Sequence, residues 1–389
     1  MSLTRHLSAR AQRMHPLAIR EILCQASHPD IIPFIAGQPE PSLFPTQVIG
    51  YQAKQIFQSN GPEVLQYGNS QGLITLRNWV ASRSRNAAPE NVVVISGSQQ
   101  ALDISAKLLV MPGDKIIVAA PTYAGALSTY AIYGAEFIAV PCDDEGMLPD
   151  ELEKAFQQDP RLIYAIPNFM NPTGVNMSLA RRRQLAQLAQ SYDVPILEDD
   201  PYGELRFEGE RLPNLYELAP EHVVYASTFS KILAPGLRLA WMIVPDWLID
   251  RLITAKQTSD LQSATYTQHF VADLLEDDFM ERHILKLRSY YRQQRDWMLT
   301  AVSNYFPSEV QYTRPTGGMF VWCELPNRVN ATHLLKKAIE NKVAYMPGSA
   351  FFHDDTGHHT VRLSFTIASE AQISEGISIL GQLFEEALM

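Results

Sequence analysis

HVVYASTFSKILAPGLRLAWMIV, His222 to Val244, holds two apolar runs separated by a turn-rich stretch that carries a single lysine, Lys231. HVVYAS (His222 to Ser227) and LRLAWMIV (Leu237 to Val244) are nearly continuous in hydrophobicity, as strands buried on both faces are. Five further runs have the same texture: VVVIS (Val92 to Ser96), KIIVAA (Lys115 to Ala120), EFIAV (Glu136 to Val140), RLIYAIP (Arg161 to Pro167) and VPILE (Val194 to Glu198). Helical patterns lie between several of them, such as QQALDISAKLLV before the PGD turn at Pro112 to Asp114, and SLARRRQLAQLAQSY before Val194. Strands alternating with helices predict an α/β domain with a mainly parallel, seven-stranded sheet covered on both faces.

After about Pro245 the texture changes to long helix-period segments. Three short strand-like runs follow, GGMFVWCEL, VAYMPG and TVRLSFT, and then a helical tail. This predicts a smaller α+β domain. The expected division is a proline-dense N-terminal segment, 1–45, packing with the small domain, a large domain over 46–284 and the small domain over 285–389.

A formal charge of −10 over 389 residues supplies no basic surface overall, which argues against a nucleic-acid partner. Three cysteines, Cys24, Cys142 and Cys323, stand far apart and match neither a disulfide framework nor a zinc spacing. The cluster HDDTGHH, His353 to His359, likewise fits no structural zinc pattern and reads as a solvated loop. The N-terminal residues lack the continuous apolar core of a signal peptide, and the longest apolar runs fall short of a bilayer span. The expected setting is reducing and cytoplasmic.

In an α/β sheet, ligands gather at the carboxyl ends of the strands. After VVVIS come Gly97 and Ser98, which open a helix with free backbone N–H groups suited to a phosphate, or simply form an N-cap. After VPILE come Asp199 and Asp200, with Tyr202 close by; a solvated acidic turn is the alternative. After RLIYAIP comes NPTG, Asn171 to Gly174, a turn whose asparagine can also offer an amide to a ligand oxygen. After HVVYAS comes Lys231, flanked by hydroxyl and apolar residues, with the next cation at Arg238. Desolvation there favours the neutral, nucleophilic amine, although a lysine can also snorkel to water. A neutral lysine, a buried carboxylate, a phosphate cradle and a nearby arginine are together the parts needed to hold pyridoxal phosphate. The lysine joins the aldehyde as a Schiff base, and the carboxylate keeps the pyridine nitrogen protonated.

Over nearly its whole length the sequence resembles the class I/II aminotransferases of the fold-type I pyridoxal-phosphate enzymes, especially the 2-aminoadipate and kynurenine aminotransferase group. The resemblance is carried by HPLAIR, LQYGNSQG, ISGSQQALD, PTYAG, IPNFMNPTG, LEDDPYGELRF, STFSKILAPGLRLAW, PTGGMFVW, MPGSAFF and VRLSFT, in that order. It implies that Lys231 is the Schiff-base lysine and proton shuttle, that Asp199 pairs with the pyridine nitrogen, that Tyr202 and Asn171 hold the ring hydroxyl oxygen, and that Tyr123 stacks on the ring. Ser98, Gln99, Ser230 and Arg238 would hold the phosphate with help from Thr228. Arg362 would bind the substrate's α-carboxylate, a task suited to its planar fork. Tyr67 resembles the tyrosine that reaches the phosphate of the neighbouring subunit, which implies a homodimer with shared active sites.

The segment AGQPEPSLFP, which includes Gly37, is one residue shorter than its usual counterpart, and Gln38 stands at or beside a position commonly glycine. The corresponding segment covers the substrate side chain in the relatives. Arg20 matches a position that can meet a second substrate carboxylate, or it is an ordinary exposed arginine. The implied activity is amino transfer from an aromatic, branched-chain or 2-aminoadipate-like L-amino acid to a 2-oxo acid, with 2-oxoglutarate the expected acceptor. Two alternatives stand beside it: a C–S β-lyase on the same cofactor, and a ligand-sensing regulator domain. The regulator would carry an added helix-turn-helix segment, whereas this sequence starts almost directly with the aminotransferase-like part.

Overall fold

A computed structural model describes residues 3–14, 28–275 and 277–389. All seven runs form strands of one sheet: β2 (Val92–Ile95), β3 (Lys115–Ala120), β4 (Glu136–Asp143), β6 (Leu162–Ala165), β7 (Ile196–Asp199), β8 (Val223–Thr228) and β9 (Ala240–Ile243). An eighth, two-residue strand, β5 (Gly146–Met147), returns antiparallel on the edge strand β4, and the order is β2-β9-β8-β7-β6-β3-β4-β5. The expected count of seven is thus extended by a hairpin too short to show a period. β4, β3, β6, β7 and β8 run parallel, whereas β9 is antiparallel to both β8 and β2.

Local chemistry explains the element ends. Ser178 caps helix Leu179–Tyr192 by accepting the Arg181 N–H, and Asp193 ends it in the left-handed region at φ 53°. At the PGD turn the Asp114 carboxylate accepts the Met111 N–H at 2.7 Å.

A second sheet has five strands. Three are the expected runs: β11 (Phe320–Glu324), β12 (Val343–Pro347) and β13 (Thr360–Ser364). β1 (Ile32–Phe34) comes from the proline-dense N-terminal segment and adds in parallel to β12. β10 (Gln311–Tyr312) closes the other edge, giving the order β1-β12-β13-β11-β10. Helix Glu370–Leu388, opened by a Ser369/Gln372 capping box, covers this sheet with its apolar face. Among the described residues no helix is long and apolar enough to cross a membrane.

Candidate active site

The strand ends of the large sheet and one face of the small sheet enclose a cavity of about 450 Å³. Lys231, Asp199, Asn171 and Ser98 line it from the large sheet, and Arg362 and Phe320 from the small one. The two-residue alternation of a strand decides which carboxylate enters. Asp199 ends β7 on the cavity side. Glu198 points the other way and accepts the Leu215 and Tyr216 N–H groups at 3.0 and 2.9 Å. Asp200 is occupied by the Tyr225 hydroxyl and the Gly203 N–H.

Asp199 is buried, and its Oδ2 accepts the Tyr164 hydroxyl at 2.8 Å. Its Oδ1 is buried with no hydrogen-bond partner. Burial pushes its pKa up to about 7, against the pull of the Tyr164 hydrogen bond. A cationic N–H placed at Oδ1 would satisfy the free oxygen and keep the carboxylate ionised.

The Lys231 amine donates to the Gly37 carbonyl at 2.8 Å. Desolvation, with Arg362 and Arg238 adding repulsion, lowers its pKa to about 8. Arg362, on β13, is buried against two aromatic rings, its guanidinium carbon 4.1 Å from the centroid of Phe320 and 4.8 Å from that of Phe351. It donates to Asn171 Oδ1 at 2.7 Å and to the Ile35 carbonyl at 2.6 Å, while its buried Nε has no partner. Within 4 Å, none of Lys231, Arg238 and Arg362 has a carboxylate partner among the described residues. Three cations facing one buried carboxylate make the cavity a receptor for anions.

One of these cations is held at a helix N-terminus. Arg238 adopts left-handed backbone angles, φ 49° and ψ 46°, and turns back to donate to the Ser96 carbonyl at 3.4 Å. Gly97, at φ +100°, makes room for it, since a Cβ there would lie 2.2 Å from the arginine's Nη2. Beyond it helix Ser98–Leu109 begins without a side-chain cap, so its first N–H groups remain open to an anion. The Gln99 side chain is already committed to Thr129 at 2.7 Å, which leaves its backbone N–H for a ligand. Thr228 accepts the Ser230 N–H at 3.0 Å and donates to the Ser230 hydroxyl at 2.9 Å, fixing the turn that presents Ser230 and Lys231.

The Tyr123 ring packs over Gly125, whose missing Cβ would otherwise lie 2.4 Å from the ring. Tyr202 is buried edge-on to Phe320, with ring centroids 5.9 Å apart. Tyr67 does not reach the cavity of its own chain; it is exposed and lines a separate surface depression. Arg20 and the HPLAIR motif lie outside the described residues. Sequence reasoning assigned no role to Tyr164, Phe320 or Phe351. Tyr164 sits inside a strand run that reads as core; it pairs with Leu197, and only its hydroxyl's hydrogen bond shows that it reaches Asp199. The two phenylalanines sat inside quoted motifs, with nothing to indicate that they pack against an arginine.

The chain matches the family model Aminotransferase class I and II over residues 29–380. It is 39% identical to aromatic-amino-acid aminotransferase 1 of Thermococcus litoralis, over 99% of this chain and 95% of that one. Its structure is similar to that of LysN, alpha-aminoadipate aminotransferase from Thermus thermophilus, complexed with N-(5'-phosphopyridoxyl)-L-leucine. The TM-score is 0.93 and the identity 37%, with 100% of this chain and 99% of that one covered. It is also similar to Pyrococcus horikoshii kynurenine aminotransferase in complex with PMP, with a TM-score of 0.95, 37% identity and the same coverage. The free oxygen of Asp199, the depressed lysine and the uncapped helix start beside Gly97 and Arg238 fit pyridoxal phosphate. The chain belongs to the class I and II aminotransferases and is a pyridoxal-phosphate-dependent enzyme that exchanges amino groups between amino acids and keto acids.

Proposed function

We propose that the amino donor is an aromatic, branched-chain or 2-aminoadipate-like L-amino acid, and that the acceptor is 2-oxoglutarate. The observation that carries this reading is the allocation of cations. Arg238 faces the phosphate cradle, Lys231 the reacting carbon, and Arg362, packed against two rings, suits an α-carboxylate. No further cation lines the cavity among the described residues, and Ile35, Ile166 and Met346 contribute an apolar wall. A second carboxylate, as in 2-oxoglutarate, calls on Arg20 or on a neighbouring subunit. The aromatic, aminoadipate and kynurenine activities of the relatives support the same range.

Pyridoxal phosphate, when bound, supplies an aldehyde that takes up the amino group and a ring that draws electrons from the α-carbon. The residues then divide the work. Asp199 keeps the ring nitrogen protonated, Asn171 and Tyr202 hold the ring oxygen, and Tyr123 covers one ring face. Ser98, Gln99, Ser230 and Arg238 hold the phosphate, with Thr228 fixing the turn. Arg362 and Asn171 hold the α-carboxylate beneath the Gly37 backbone. Lys231 would accept and return the substrate's α-proton, which requires the neutral amine. Tyr67, exposed on its own chain, completes the phosphate site of a second copy in a homodimer.

The test is the visible spectrum of the purified protein while single amino acids are added without any oxo acid. Conversion to the amine form of the cofactor by aromatic, branched-chain or 2-aminoadipate-like acids is expected. Conversion by small amino acids such as glycine and alanine alone would refute the donor class. Pyruvate and ammonia released from a cysteine conjugate, with no oxo acid needed, would favour the β-lyase.

The lowered pKa of Lys231 gives a second expected result. In cofactor-free protein, competitive acetylation read by peptide mass should half-saturate near pH 8 at Lys231, whereas an ordinary exposed lysine titrates near about 10.4. A half-point above pH 10 would show that the site does not depress the amine.

A further inference from the structure

Behind the phosphate cradle lies an ion pair, its lysine buried and its aspartate partly exposed, that the proposed reaction does not use. Lys256 is fully buried and donates to both Asp260 carboxylate oxygens, at 2.9 and 3.1 Å, and to the Ser263 hydroxyl at 3.1 Å. All three of its protons are therefore placed. Oδ2 of Asp260 also accepts the Ser96 hydroxyl at 2.8 Å and the Gln100 amide at 3.0 Å. Gln100 in turn accepts the Ser96 N–H at 2.8 Å. Ser96 is thus held through both its backbone N–H and its hydroxyl, and its carbonyl receives Arg238. The next residues are Gly97 and Ser98, where the open helix N-terminus begins.

The turn that makes this possible is strained. Leu261, directly after Asp260, has φ 61° and ψ −51°, angles unusual for a branched apolar residue. It reverses the chain so that Asp260 and Ser263 face the same ammonium. Burial opposes ionisation of Asp260, but the hydrogen bonds from Lys256, Gln100 and Ser96 outweigh it and hold the carboxylate below its ordinary range.

We propose that Asp260, fixed by Lys256, is a positioning residue for the cofactor phosphate: by clamping Ser96 and Gln100 it sets the Gly97–Ser98 loop and the Arg238 guanidinium at the geometry a phosphate needs. The inference rests on the phosphate cradle proposed above. Position is what matters here, because the Asp260 charge by itself would repel a phosphate.

The test is the affinity of the full-length protein, stripped of cofactor and retitrated, for pyridoxal phosphate and for pyridoxal, which lacks the phosphate. Asp260→Asn should weaken pyridoxal phosphate binding about 10-fold and leave pyridoxal binding unchanged. Gln100→Leu removes one arm of the clamp without uncovering Lys256 and should shift the same ratio in the same direction, by less. An unchanged ratio in both variants overturns the proposal, as does tighter phosphate binding, which loss of a nearby negative charge alone would produce. Equal loss of both ligands also overturns it, since a general loosening of the fold does not select the phosphate. Arg238→Gln is the control for the cradle. If it selectively loses the phosphorylated ligand while the Asp260 and Gln100 variants do not, the cradle stands and only the clamp fails; if it shows no selective loss, the cradle fails and the clamp with it.

Discussion

Lys231→Ala is expected to reduce amino transfer by about 10⁴-fold or more, because in the proposed reading one side chain supplies both the nucleophile and the proton shuttle. The variant should retain the cofactor non-covalently, since Arg238, Ser230 and the helix N-terminus remain. Lys231→Arg sharpens the result. Arginine restores the positive charge but has no neutral form near pH 7, so it should be as inactive as alanine. Steady-state rates with the best donor from the amino-acid panel decide the matter. Either variant within 10-fold of the parent rate would place the proton transfer on another group.

Asp199→Asn is expected to have opposite effects on rate and on stability. The amide cannot keep a ring nitrogen protonated, and loss of that charge should lower the rate by about 10²- to 10³-fold. In cofactor-free protein the same change relieves a cost. The Asp199 carboxyl has its pKa raised from an ordinary 3.8 to about 7, so the folded chain binds a proton that the unfolded chain has lost across that window. Its contribution to stability is complete below about pH 4 and is lost as the pH rises through about 7, an effect on the order of 4 kcal/mol. Without cofactor, Asp199→Asn should therefore melt progressively higher than the parent as pH rises from 4 to 8. With cofactor bound the advantage should vanish if, as proposed, the ring nitrogen is the partner of the free Oδ1. Thermal melts of both proteins with and without cofactor would test this, and a parent that melts higher than the variant at pH 8 without cofactor would contradict it.

Much of the fold was legible because strands buried on both faces leave an unbroken apolar signature, and each of the seven runs became a strand of the large sheet. The short elements were not legible. β5 and β10 are two residues each, and β1 holds a proline at its centre, so none has a periodicity to read. β1 is a strand because the edge of β12 is available to pair with it.

The candidate site divides in the same way. Lys231, Asp199, Asn171 and Ser98 could be found from the linear order because each follows a strand run, and a parallel sheet brings its strand ends together; Arg238 precedes the antiparallel β9, whose start lies at the same end. Arg362 is different: it comes from the second sheet, where pairing sets it between Trp322 on β11 and Met346 on β12. Its contact with the Phe320 and Phe351 rings depends on the tertiary packing of that sheet. The choice of Asp199 over Asp200, the support of Asp199 by Tyr164, and the clamp of Ser96 by Asp260 are likewise tertiary. The sequence by itself determined which chemical groups are present, their order along the chain and the alternation of strand with helix, since these depend on residue type and local period. Only the tertiary structure decided which of those groups lose their water and which find partners. Desolvation and hydrogen bonding depend on residues distant in sequence, and they are what bring Lys231 to about 8 and Asp199 to about 7.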